Sequence, residues 1–163
     1  MHSRIFQYSD SPIEKDNYIG EDDIPAERFA GKFYGDYTTA STEEERIEDI
    51  KWLEESLKKF SCIERTGEDK FTLKKGYKQE LAHYWLDRIQ DTCASITLDN
   101  ISNYTQRFNM QYALSDPLCH GFGFLFYNPD GDGLSASDDF FGWLLNKKEG
   151  DSFYIGGTLD YHC

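Results

Sequence analysis

The stretch Ser152-Phe153-Tyr154-Ile155-Gly156-Gly157-Thr158-Leu159-Asp160-Tyr161 decides how the rest of the chain is read. It has the composition of a strand, interrupted by two adjacent glycines. Glycines inside a strand pattern mark a bulge or a bend, where side chains would not fit. A strand bent at Gly156-Gly157 therefore closes the fold. Working back from it, Phe122-Gly123-Phe124-Leu125-Phe126-Tyr127 reads as a buried strand. A Gly/Asp loop follows it, then a short helix over about 136–146.

Three further helical patterns precede these strands. The clearest spans 42–59. Ser41 with Glu44, and Thr42 with Glu45, both offer a capping box. Acids crowd the first turns and Lys58-Lys59 close the last, as the helix dipole favours. Ile47, Ile50, Leu53, Leu57 and Phe60 form one apolar stripe. A second helix is expected over 78–94, with Leu81, Tyr84, Trp85, Ile89 and Cys93 inward. A third begins after Asp99 as N-cap, with Ile101, Tyr104, Phe108 and Tyr112 inward. Two short runs, 62–66 and 70–74, flank Gly67-Glu68-Asp69 as a β-hairpin.

At the other end, Arg4-Ile5-Phe6-Gln7-Tyr8 alternates apolar and polar residues, as a short strand does. Residues 14–40 are acidic and carry Gly20, Pro25, Gly31 and Gly35, which reads as loop with one short helix over 25–29. The order β, α, ββ, αα, β, α, β lacks the regular alternation of a doubly wound fold. The expectation is one α+β domain over 1–163, a mixed or antiparallel sheet with three to four helices packed against it.

The 163 residues include 12 Phe, 11 Tyr and 3 Trp, far too aromatic for a disordered chain. A domain of this length buries roughly 70% of its unfolded surface and needs no metal or disulfide to fold. The four cysteines, Cys62, Cys93, Cys119 and Cys163, form no CxxC pair and read as free thiols of a reducing compartment. The start Met1-His2-Ser3-Arg4-Ile5 lacks the apolar run of a secretion signal, so a cytoplasmic location is expected.

The net charge of −13 is unevenly spread. Residues 1–60 hold 15 acids and 8 bases, 61–115 hold 7 of each, and 116–163 hold 8 and 2. A phosphate backbone needs clustered Lys and Arg, so direct nucleic-acid binding is not expected. Anionic membrane surfaces are disfavoured for the same reason. A partner with a basic surface is attracted instead.

One motif has the form of a metal loop: Asn128-Pro129-Asp130-Gly131-Asp132-Gly133-Leu134-Ser135-Ala136-Ser137-Asp138-Asp139. Counted as a twelve-residue calcium loop, it offers Asn128, Asp130, Asp132 and Asp139 as oxygen ligands, with glycine at position 6. Calcium, if any, is the only cofactor the sequence suggests. Against it, position 1 is Asn, position 12 is the short Asp, and a strand precedes the loop. Read blandly, Asn-Pro and Asp-Gly are turn dipeptides.

Other chemistry is sparse. Cys119-His120 with His162-Cys163 would make a zinc set if the strand ends met, but adjacent ligands are unlike zinc spacing. Cys93 or Cys119 with His83 or His120 is a conceivable nucleophile pair lacking any catalytic signature. No phosphate-binding glycine loop is present. No catalytic residue is assigned.

Three functions remain. The first is an accessory or inhibitory protein that binds another macromolecule, in its sharpest form an acidic decoy for a nucleic-acid-binding groove, as a phage or mobile element would carry. Its contact surface is expected at Glu21, Asp22, Asp23, Tyr34, Tyr37, Glu43, Glu44 and Glu45, since binding residues concentrate on loops. The second is a calcium module on 128–139. The third is a small enzyme whose motif is not legible.

Overall fold

A computed structural model describes residues 2–24, 37–118, 123–131 and 133–162. The strands are β1 (His2–Ser9), β2 (Tyr37–Ala40), β3 (Ile63–Arg65), β4 (Lys70–Leu73), β5 (Leu125–Asn128), β6 (Gly133–Ser135) and β7 (Ser152–His162). The helices are α1 (Glu43–Leu57), α2 (Tyr77–Ala94), α3 (Tyr104–Ser115) and α4 (Ser137–Leu145). They form one α+β domain with an open, mixed, seven-stranded sheet of order β3-β4-β7-β1-β5-β6. β2 adds to the outer half of β7. All ladders are antiparallel except β1 with β5.

β7 organises this sheet, and its glycine pair behaves as the sequence suggests. Phe6 pairs with Thr158 and Tyr8 with Ile155, so Gly156 and Gly157 together oppose Gln7. That is a bulge, and it reverses which side chains face which layer. Phe153 and Ile155 therefore point to one core with Phe6 and Tyr8, packed by Ile50, Leu53, Phe140 and Phe141. Beyond the bulge, Leu159 and Tyr161 join Ile5 and Leu125 in a second core on the opposite face, where Ile19 and Ile24 cover them. The 14–24 segment is thus a lid on the sheet, with 3-10 turns at Lys15–Asn17 and Glu21–Asp23.

A Cβ on Gly156 would lie 2.7 Å from Ile13 Cδ1, and one on Gly157 2.9 Å from the Ile19 nitrogen. Gly157 is there because the lid's backbone lies against it, and Gly156 because the Gln7 and Ile13 side chains do. Gln7 ties the layers. Its Oε1 accepts from Gly157 N (2.9 Å) and Ile19 N (3.0 Å), and its Nε2 donates to Asn17 O (2.9 Å).

Helix α1 starts at Thr42, whose hydroxyl accepts from Glu45 N while Glu45 bonds back to the Thr42 nitrogen. The alternative box on Ser41 and Glu44 is not used. Ser41 instead donates to Asp49 at 3.0 Å. Ile50, Leu53, Leu57 and Phe60 are buried as expected, and Ile47 half-buried.

Several expectations need correction. β2 falls inside the segment read as loop, because Tyr37–Ala40 finds the free edge of β7. β6 was not anticipated either. It forms because the turn after Asn128 returns the chain to pair Tyr127 with Leu134. Helix α3 is capped by Asn103, whose side chain accepts from Thr105 N, and not by Asp99. Ile101 and Tyr104 are exposed, not inward, and so is Cys93. The cause is that α2 and α3 pair with each other and meet the body near one end. The helix expected over 25–29 lies outside the described residues.

Candidate functional site

The lid does not close the sheet face completely. Between the 12–23 segment and the turn joining β5 to β6 lies an open cleft of about 610 Å³. Four carboxylates line it: Glu14, Asp16, Asp23 and Asp130. All four are exposed. Tyr18 and Tyr127 supply half-buried aromatic walls. Among the described residues, no Lys or Arg lines it.

Each wall is held locally. Asp23 accepts from Gly20 N at 2.7 Å, which fixes the second 3-10 turn. Asp130 N donates to Asn128 Oδ1 at 3.0 Å, an Asx turn that sets the tip of the β5–β6 hairpin. The Tyr18 ring lies 4.7 Å from the buried guanidinium of Arg46. Arg46 in turn donates to Gly156 O (2.6 Å) and Ile155 O (2.9 Å), and pairs with Glu43 and Asp69. The bulge, the lid and α1 therefore meet at one cation. Burial holds the Tyr18 hydroxyl above its ordinary pKa. Burial does the same to Tyr127, helped by the charge of Asp23. Both rings stay neutral, as walls facing carboxylates should.

This arrangement attracts cations. Carboxylates at an open mouth raise the local concentration of positive charge. Neutral aromatic rings accept an ammonium or guanidinium on their faces, as Tyr18 already does from Arg46. Among the described residues that line the cleft, the one hydroxyl nucleophile apart from the tyrosines, Ser9, accepts a hydrogen bond from Ser11 N (3.3 Å).

The residues singled out from sequence fall in several places. Asp23 and Asp130, assigned to different sites by the sequence, line the same cleft. Glu21 accepts from Ala40 N at 3.1 Å, and Asp22 is exposed beside it. Glu43 pairs with Lys15 and Arg46, and Glu45 completes the capping box on Thr42, so both have a part in the fold. The Lys15 bond lowers the Glu43 pKa, and the Thr42 backbone bond lowers that of Glu45. Glu44 is exposed on α1. Tyr37 stands in β2, stacked on His162 with ring centres 5.5 Å apart. Tyr34 lies outside the described residues.

The metal loop is divided. Asn128 and Asp139 line a separate cavity of about 300 Å³ with Asp138 and Trp143, whereas Asp130 faces the larger cleft. Asp132 lies outside the described residues. Among the described residues no three His, Cys, Asp or Glu side chains are grouped to hold a metal ion. Of the zinc set, Cys119, His120 and Cys163 also lie outside. His83 and Cys93 are both exposed on α2. Among the described residues no helix is long and apolar enough to cross a membrane.

Glu14, Asp16, Tyr18 and Tyr127 were not singled out from sequence. The signal that points to them is the glycine pair, which announces that another backbone lies against β7. No protein family, curated protein or solved structure matches the chain.

Proposed function

We propose that this is an accessory or inhibitory protein that works by binding another protein, and that the Tyr18–Tyr127 cleft receives a basic side chain or short basic segment of that partner. The observation that carries the reading is the lining itself: four exposed carboxylates and two neutral tyrosines, with no Lys or Arg among the described lining residues. The Arg46 guanidinium beside Tyr18 is buried and committed to Glu43, Asp69 and two β7 carbonyls. The nucleic-acid decoy form has less support. On and just after α1 two exposed acids are paired with bases, Glu48 with Lys51 and Glu55 with the C-cap Lys58. Such pairs interrupt the row of negative charge that imitates a phosphate backbone. A cytoplasmic setting suits the free thiols Cys62 and Cys93.

The test is titration with arginine- and lysine-rich peptides, followed by calorimetry and by the ring resonances of Tyr18 and Tyr127. Binding is expected, weakened by salt and lost in a protein carrying Asp23→Asn with Asp130→Asn. Equal binding by that variant, or shifts confined to other tyrosines, would overturn the proposal.

A further inference from the structure

The first and last strands of the sheet end side by side. β1 runs antiparallel to β7, and the register sets His2 opposite His162. β2 lies on the other side of β7 and sets Tyr37 opposite His162 in turn. Directly opposite residues of antiparallel strands project from the same face of a sheet, with Cβ atoms about 5 Å apart. Here the three rings converge. Tyr37 stacks on His162 with 8° between the planes and centres 5.5 Å apart. The His2 ring centre lies 5.1 Å from that of His162 and 6.5 Å from that of Tyr37. This cluster stands on the face that carries α1, since Arg4 of β1 and Thr158 of β7, on the same face, both bond Asp49 of that helix. The acidic cleft opens on the other face, where Tyr127 packs.

Two imidazoles held this way have the form of a metal chelate, because imidazole nitrogen suits zinc and the other late divalent ions. A histidine nitrogen binds zinc at about 2.0–2.1 Å, and tetrahedral angles then put the centres of two imidazoles on one ion roughly 5 Å apart. The separation of His2 and His162 meets that spacing.

The surroundings of His2 suit a ligand as well. Its Nδ1 lies 2.8 Å from Asp160 Oδ2. An ionised carboxylate only accepts, so Nδ1 carries the proton and Nε2 keeps its lone pair. Asp160 is itself held by Arg4, and Arg4 by Asp49. A carboxylate behind a ligating histidine fixes the ring and raises its basicity, and it is the usual outer partner of a metal ligand.

We propose that His2 and His162 hold a zinc ion that clips the first strand of the sheet to the last. The sequence grouped His162 with Cys119 and His120 as a zinc set; the sheet register brings it His2 instead. Zinc is four-coordinate, so two protein ligands leave two positions open to solvent. The ion is therefore exchangeable, unlike one enclosed by four side chains. The site uses no residue of the acidic cleft, and either reading can fail without the other.

The test is zinc titration of the metal-stripped full chain against a chelating dye, with the imidazole resonances followed in parallel. One zinc per chain is expected. The His2 and His162 rings should shift along one curve, while that of His83, exposed on α2, stays still. His2→Ala and His162→Ala should each weaken binding about tenfold or more, and Asp160→Asn about tenfold. A rise in Tm with zinc, absent from both alanine variants, gives a second reading that does not depend on the dye. No binding at millimolar zinc overturns the proposal. So does binding unchanged by His162→Ala, which would put the ion on the start of the chain alone. Binding unchanged by either histidine variant also overturns it, since thiols or carboxylates elsewhere would then be the ligands.

Discussion

The Gln7 side-chain oxygen accepts hydrogen bonds from Gly157 of β7 and Ile19 of the lid at once, at 2.9 and 3.0 Å. One buried carboxamide thereby fixes the bulge and the floor of the acidic cleft together. Replacing Gly157 by Ala places a methyl 2.8 Å from Tyr18 Cβ and 2.9 Å from the Ile19 nitrogen. The second of these is backbone and cannot swing aside. A destabilisation of about 1–3 kcal/mol is expected by denaturant titration, as for other overpacked sites. Because Tyr18 must move, cation binding in the cleft should weaken too.

Arg46 is the second tie between the lid and the sheet. Its guanidinium satisfies two β7 carbonyls and faces the Tyr18 ring. Arg46→Met fills similar volume but leaves those carbonyls and the Asp69 carboxylate without their donor. About 2–4 kcal/mol of stability should be lost. Arg46→Lys should recover only part of it, since an ammonium cannot reproduce the planar fork. Thermal melts of the two variants side by side check the order.

The parts legible in the sequence were those with a local cause. The α1 cap follows from Thr42 and Glu45, and the β7 bulge from Gly156 and Gly157. Periodicity failed at the start of α3, where Tyr104 looks inward-facing by spacing and is exposed. Spacing says which residues share a face and not what covers that face. Tyr104 lies beyond the point where the hairpin meets the body. The cleft was hidden for a related reason. Glu14, Asp16 and Asp23 are near neighbours in sequence, but Tyr127 and Asp130 join them only through the sheet order, which places β5 beside β1. Likewise β2 is four residues long and has no pattern until the edge of β7 receives it.

Glu80 gives the fold an acid-sensitive joint. Burial opposes its ionisation. The nitrogens of Cys62 and Ser61 and the Ser61 hydroxyl, each 2.9 Å from its oxygens, outweigh that and hold its pKa below the ordinary value. A carboxylate depressed in the folded state contributes stability above its unfolded pKa, and that contribution is lost as pH falls through the folded pKa. Glu80→Gln should therefore cost about 1–2 kcal/mol at neutral pH. The gap to the parent should close in acid, below the ordinary carboxylate range. Denaturant midpoints measured across that range are the check.

Asp138 should behave in the opposite sense. Burial, with its neighbour Asp139, raises its pKa against the pull of backbone bonds at the start of α4. The folded state then holds a proton that the unfolded chain has released. Stability falls as pH rises from the unfolded pKa to the higher folded one, and the penalty persists above it. Asp138→Asn should raise Tm at neutral pH and leave it unchanged in acid. An equal effect at both would mean the side chain acts through packing instead.

The loop after β5 can be tested apart from the cleft. Calcium needs six to eight oxygens converging on one point. Here Asn128 Oδ1 is already bonded to Asp130 N, and Asp130 and Asp139 line different cavities. Bringing them together would break the β5–β6 hairpin, in which Asn128 pairs with Gly133. A ligand that binds only the native state raises its melting temperature by mass action. The melts of metal-stripped protein in EDTA and in millimolar calcium should therefore coincide. A rise of several degrees that disappears in Asp139→Ala would instead require the hairpin to open around the ion. The calcium module would then replace the cleft as the functional reading.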